Sequence, residues 1–104
     1  MTNGIIKAGT RLQSQVCDTQ IIVVRAADSL GELRCGGAPM VVLGAAGEPG
    51  ATLDPALSDG TLMGKRYVDD AGAEVLVTKP GAGTLTIGTV PLAIKEAKPL
   101  PASD

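Results

Sequence analysis

A chain of 104 residues has the length of one domain with a modest core. Apolar residues make up 44% of it, yet Tyr67 is the sole aromatic and His is absent, so Val, Ile, Leu, Met and Ala must build the core and no imidazole serves acid–base work or metal ligation. Nine basic and eleven acidic residues give a net charge of -2, which excludes the basic footprint of a nucleic-acid binder, and the missing aromatics remove base stacking as well.

Fourteen Gly and seven Pro favour short strands and tight turns over long helices, because Gly costs backbone entropy and Pro lacks a donor. The expected fold class is all-β. Met1-Thr2-Asn3-Gly4 lacks the basic and apolar regions of a signal peptide, and a cytoplasmic location is expected. Strands are predicted over residues 11–16, 20–26, 32–35 and 40–43, with a turn at Asp28-Ser29-Leu30-Gly31. The longest apolar stretch, residues 38–46, is broken by Pro39 and Gly44 and falls short of the roughly 20 residues of a membrane span. Residues 44–63, rich in Gly, Ala, Pro and Asp, read as a linker in which Asp54 caps one helical turn that starts at Pro55. A second set of strands follows over residues 66–69, 73–79, 83–87 and 91–95, with a flexible turn at Pro80-Gly81-Ala82-Gly83. Residues 95–104, with Pro99 and Pro101, read as an extended tail.

The two sets of strands carry an internal repeat. Gly9-Thr10-Arg11-Leu12 aligns with Gly64-Lys65-Arg66-Tyr67, and Ile21-Ile22-Val23-Val24-Arg25 with Val75-Leu76-Val77-Thr78-Lys79. Gly31, Leu33, Gly36 and Pro39 then recur as Gly83, Leu85, Gly88 and Pro91. The organisation is thus a first repeat over 1–43, the linker over 44–63, a second repeat over 64–94 and the tail over 95–104. Four short strands cannot cover their own apolar face, so the two β-hairpin/β-meander repeats are expected to pack face to face as one pseudo-twofold domain.

Few residues offer chemistry. Asp69, Asp70 and Glu74 form the tightest acidic group, but their spacing matches no calcium loop and reads as a solvated turn. Gly81-Ala82-Gly83 is followed by neither a helix pattern nor a Lys-Ser/Thr pair, which argues against phosphate binding. Tyr67 reads as a half-buried amphipathic side chain. Cys17 and Cys35 differ from these, because they bracket a hairpin that can bring them together. In a reducing compartment they are expected as thiols or metal ligands.

The order Gly9-Thr10-Arg11-Leu12, Ser14-Gln15-Val16-Cys17, Ile21 to Val24 and Leu33-Arg34-Cys35-Gly36-Gly37-Ala38-Pro39-Met40 resembles the desulforedoxin-like, rubredoxin-type iron domains. Their pattern is a Cys-x-x-Cys knuckle, a Val-rich strand and a Leu-x-Cys-Cys-Gly segment. Ser14 stands at the first knuckle cysteine, Asp18 at the Gly that follows the knuckle, and Gly36 at the second member of the Cys-Cys pair. Asp69, Gly72, Ile87 and Gly88 occupy the four ligand positions of the second repeat. The resemblance implies a degenerate, tandemly duplicated iron domain. It makes Cys17 and Cys35 the candidate metal ligands, with Ser14 and Asp18 as weak additional donors. Rubredoxin-type iron takes four thiolates and structural zinc four ligands, so two thiolates do not suffice alone. Ser14 or Asp18 would have to supply the rest of a zinc site poorly, or two chains would have to pool their cysteines. No cofactor is the first expectation, with iron or zinc as the alternative.

The expected function is a non-catalytic accessory or protein-interaction module on this degenerate scaffold, using a strand edge, a groove between the repeats or the tail. Its partner is a larger protein, with no nucleic acid and no membrane, and a homo-oligomer is compatible with the pattern. Two alternatives remain open. One is a metal-binding electron-transfer protein using Cys17 and Cys35. The other is a redox regulator with a reactive cysteine.

Overall fold

The computed structural model describes residues 6–47 and 50–95. Among the described residues ten strands are arranged in two antiparallel sheets, so the protein is all-β. In chain order they are β1 (Arg11–Gln13), β2 (Gln20–Arg25), β3 (Leu33–Cys35), β4 (Ala38–Pro39), β5 (Val41–Val42), β6 (Arg66–Val68), β7 (Glu74–Lys79), β8 (Leu85–Ile87), β9 (Val90–Pro91) and β10 (Ala93–Ile94). Two single turns of 3-10 helix lie at Asp28–Glu32 and Pro55–Leu57.

The longest strands show why the chain chooses sheet. In β2 the β-branched residues alternate, with Ile21 and Val23 turned into the core. Val75 and Val77 do the same in β7. The two strands pair antiparallel, Ile21 opposite Val77 and Val23 opposite Val75, with ladder irregularities on either side. Leu12, Leu30, Leu33, Cys35, Tyr67, Ala73 and Leu85 complete the buried cluster. Tyr67, expected half-buried, is 7% exposed, and its hydroxyl accepts the Leu62 N–H at 3.0 Å.

The larger sheet runs β10-β6-β7-β2-β1-β5 and the smaller β4-β3-β8-β9. Counted outward from the centre, the larger sheet reads β2, β1, β5 on one side and β7, β6, β10 on the other. Residues 1–43 and 64–94, expected to meet face to face, are joined through the β2–β7 and β3–β8 ladders. Edge pairing satisfies backbone groups that each half would otherwise leave open.

Strand bounds differ from expectation where turns take over. The first strand ends at Gln13 because residues 14–19 close a tight turn, with Ser14 N–H bonded to Thr19 O at 2.9 Å. The expected strand over 40–43 shortens to β5, with β4 just before it, and that over 91–95 divides between β9 and β10. The residue 28–31 turn is one turn of 3-10 helix that buries Leu30. Within the linker, Asp54 caps Pro55–Leu57 as expected, accepting the Ala56 N–H at 2.9 Å. The segment from Leu53 to Thr61 then runs as a strap along the ends of β3 and β8. Asp54 N–H bonds Gly36 O, Thr84 N–H bonds Leu57 O, and Thr61 N–H bonds Gly81 O. The expected tail beyond Lys95 lies outside the described residues.

Candidate functional site: a paired-thiol centre

Ser14 builds the first half of the site. Its hydroxyl oxygen accepts the N–H groups of Val16 at 3.0 Å and Cys17 at 3.1 Å, which folds the turn so that the Cys17 side chain faces the end of β3. Cys35 ends β3, opposite Leu85 of β8 and Ala38 of β4, and is fully buried. The two sulfurs lie 3.7 Å apart. The residue after Cys35, Gly36, has a φ of 65°, the left-handed region that turns the chain back toward β4.

The surroundings of the two thiols are unequal. The Cys17 sulfur lies 3.3 Å from the hydroxyls of both Ser14 and Thr19, and it accepts the Gly83 N–H at 3.3 Å. A thiol has one proton and serves one of those hydroxyls at a time, whereas a thiolate accepts from both and from Gly83. Burial alone would raise the Cys17 thiol, but hydrogen bonds from Ser14, Thr19 and Gly83 outweigh it and bring it down to about 7. Burial, reinforced by the charge of Cys17, pushes Cys35 up to about 12. The result is a half-exposed nucleophilic sulfur beside a buried protonated one.

Gly83 is held by close approach. A Cβ there would sit 2.9 Å from Gly36 N and 3.0 Å from the Cys35 sulfur. Behind the site, Thr19 and Thr61 share a hydroxyl hydrogen bond of 3.1 Å, and Thr61 Oγ1 accepts the Gly81 N–H at 3.0 Å.

Of the residues singled out in the sequence, Cys17, Cys35 and Ser14 come together, while Asp18 is exposed and Thr19 reaches the sulfur from that turn. The position of the fourth ligand is crowded, since a Cβ on Gly36 would lie 2.5 Å from Leu53 Cδ1 and 2.8 Å from Val16 Cγ2 and both side chains would have to shift. Two thiols and two alcohols, one already accepting two amides, do not fit the tetrathiolate of rubredoxin-type iron. Among the described residues no three His, Cys, Asp or Glu side chains gather in a metal-binding group. In the second segment, Asp69 Oδ1 accepts the Ala73 N–H at 2.8 Å within its turn, and Gly88 N–H bonds Glu32 O just past the paired ends of β3 and β8. Glu74 does not share in the solvated turn expected of the acidic group, because it is buried and paired with Arg66 and Lys95.

Sequence reasoning places Gly83 in a turn and in the repeat but assigns neither it nor Thr19 and Thr61 to the thiol site. A threonine two residues from a cysteine carries a weak local signal, but Thr61 and Gly83 reach the site only through the fold.

Fold and site together define an all-β protein of two antiparallel sheets carrying a vicinal pair of unequal thiols. No family model, curated protein or solved structure matches the chain. Among the described residues no helix is long and apolar enough to cross a membrane.

Proposed function

We propose that the protein is a dithiol–disulfide module in which Cys17 is the attacking thiolate and Cys35 the resolving thiol. The observation that carries this reading is the 3.7 Å separation of a half-exposed sulfur from a fully buried one. The Cys17 thiolate attacks one sulfur of a disulfide substrate, forms a mixed disulfide and expels one thiolate. Cys35 then attacks the Cys17 sulfur and expels the second thiolate, which takes up the Cys35 proton as it leaves. Two electrons pass from the pair to the substrate, which leaves as two thiols. In a reducing compartment such as the cytoplasm the pair rests as dithiol and responds to oxidised disulfides.

The scaffold reads as a degenerate, duplicated desulforedoxin-like domain, supported by the like order of strands on the two sides of the larger sheet and by the turn retained around Ser14. A protein-binding role for the sheet edges is favoured by Val42 on β5 and Val90 on β9, which are 58% and 65% exposed.

The test is exposure of reduced protein to a small-molecule disulfide, followed by mass spectrometry. The wild type is expected to lose two hydrogens and keep no adduct. Cys35→Ser should stop at a stable mixed disulfide on Cys17, and Cys17→Ser should react far more slowly. A wild type that accumulates the mixed disulfide, or stays unreacted, overturns the reading.

A further inference from the structure

We propose that Thr61, on the linker strap, is a positioning residue for Cys17: by donating its hydroxyl proton to Thr19 it leaves the Thr19 hydroxyl free to donate to the Cys17 sulfur. This rests on the reading of Cys17 as the attacking thiol. Proton counting leads to it. Thr61 Oγ1 accepts the Gly81 N–H at 3.0 Å, which fixes one of its lone pairs. Its own proton has two acceptors in reach, Gly81 O at 3.5 Å and Thr19 Oγ1 at 3.1 Å, and the shorter contact is the better bond. Thr19 is fully buried and Thr61 6% exposed, so water does not compete for these groups. While Cys17 is protonated its S–H donates to Thr19 Oγ1 at 3.3 Å; once it ionises the sulfur has no proton to give, and Thr19, accepting from Thr61, turns its own proton to the sulfur. When Cys17 ionises, a directed chain therefore runs from the Gly81 N–H through Thr61 and Thr19 to the sulfur. Bonds in such a chain strengthen one another.

The charged or titratable groups on the elements around Cys17 are Arg34 and Cys35 on β3, Asp18 in its own turn, Arg11 and Arg25 on the flanking strands β1 and β2, Asp54 and Asp59 on the strap, and Lys79 before the 80–84 turn. All of them are retained in the variants below, so only the hydroxyl chain changes. The strap thus sets the reactivity of a thiol 44 positions away from Thr61 in sequence.

The experiment follows iodoacetamide alkylation of Cys17 against pH in the reduced full-length chain, with the modified residue located by mass spectrometry. Thr61→Val is expected to move the midpoint up by about one unit and to slow alkylation near neutral pH by up to about tenfold. Thr61→Ser, which keeps the hydroxyl, should restore the wild-type profile. A Thr61→Val profile that superimposes on the wild type overturns the proposal, and so does a Thr61→Ser profile that matches Thr61→Val. If Thr61→Val does not fold, Thr61→Ala lacks the hydroxyl with less bulk and carries the same two outcomes. Disulfide formation with an unchanged midpoint removes this inference alone. A wild type that forms no intramolecular disulfide removes the redox reading, while the alkylation midpoint still decides whether Thr61 acts on Cys17.

Discussion

At Gly83 the fold needs a backbone N–H and excludes a side chain. The amide reaches the Cys17 sulfur, and the space a Cβ would fill is occupied by Gly36 and the Cys35 sulfur. Neither neighbour can give easily, because one is backbone and the other is fully buried. Gly83→Ala is therefore expected to lower stability by about 1–3 kcal/mol, the usual range for overpacking. It should also slow Cys17 alkylation at neutral pH as the amide is displaced. Urea denaturation and the alkylation rate check the two effects, and an alanine variant as stable and as reactive as wild type would show the contact to be slack. The two thiols were legible in the sequence, because a hairpin between Cys17 and Cys35 brings its ends together. Ser14 was legible only as a missing ligand, whereas the fold uses it to shape the turn and contact the sulfur. Thr61 and Gly83 were not legible, since no local pattern marks a threonine or glycine whose partner lies across the molecule.

Within the larger sheet, Glu74 ties three neighbouring elements together. It sits on β7, paired with Arg66 on β6 at 3.2 Å and with Lys95 just past β10 at 3.1 Å. The Lys95 hydrogen bond, against some desolvation and with help from the Lys95 and Arg66 charges, holds its carboxyl below the usual carboxylate range. A depressed folded-state value means that the stabilisation is complete above the unfolded-state pKa and is lost as pH falls through the folded one. Glu74→Gln is expected to unfold at lower urea than wild type near neutral pH, with the gap closing in acid. The effect is modest, because both cations are about half exposed and screened by solvent. A gap of constant size down to the acid limb would assign it to packing instead. The aliphatic runs Ile21 to Val24 and Val75 to Val77, each closed by a cation, made β2 and β7 readable in the amino-acid pattern, but which of their side chains face the core was not. The ends were less readable. Residues 14–16 continue the extended pattern of residues 11–13, but Ser14 captures two amides and turns the chain.

Across the whole molecule, the all-β class followed from composition. What the sequence did not disclose is that the halves would share their sheets. Alternating patterns define which face of a strand is buried but not which strand lies beside it. The β2–β7 and β3–β8 ladders form wherever one β1–β5 set meets one β6–β10 set, and nothing in the ladders themselves demands that both come from the same chain. Two chains that traded their second halves would rebuild each of these pairings. The choice then falls to residues 44–63, whose length makes closure within a chain easy. Deleting part of this segment ahead of Leu53 is expected to produce an intertwined dimer, detected by light scattering and separable only by unfolding. A shortened chain that remains a folded monomer would mean the strap reaches across with length to spare. On this argument the segment over 44–63 would determine how many chains complete one core.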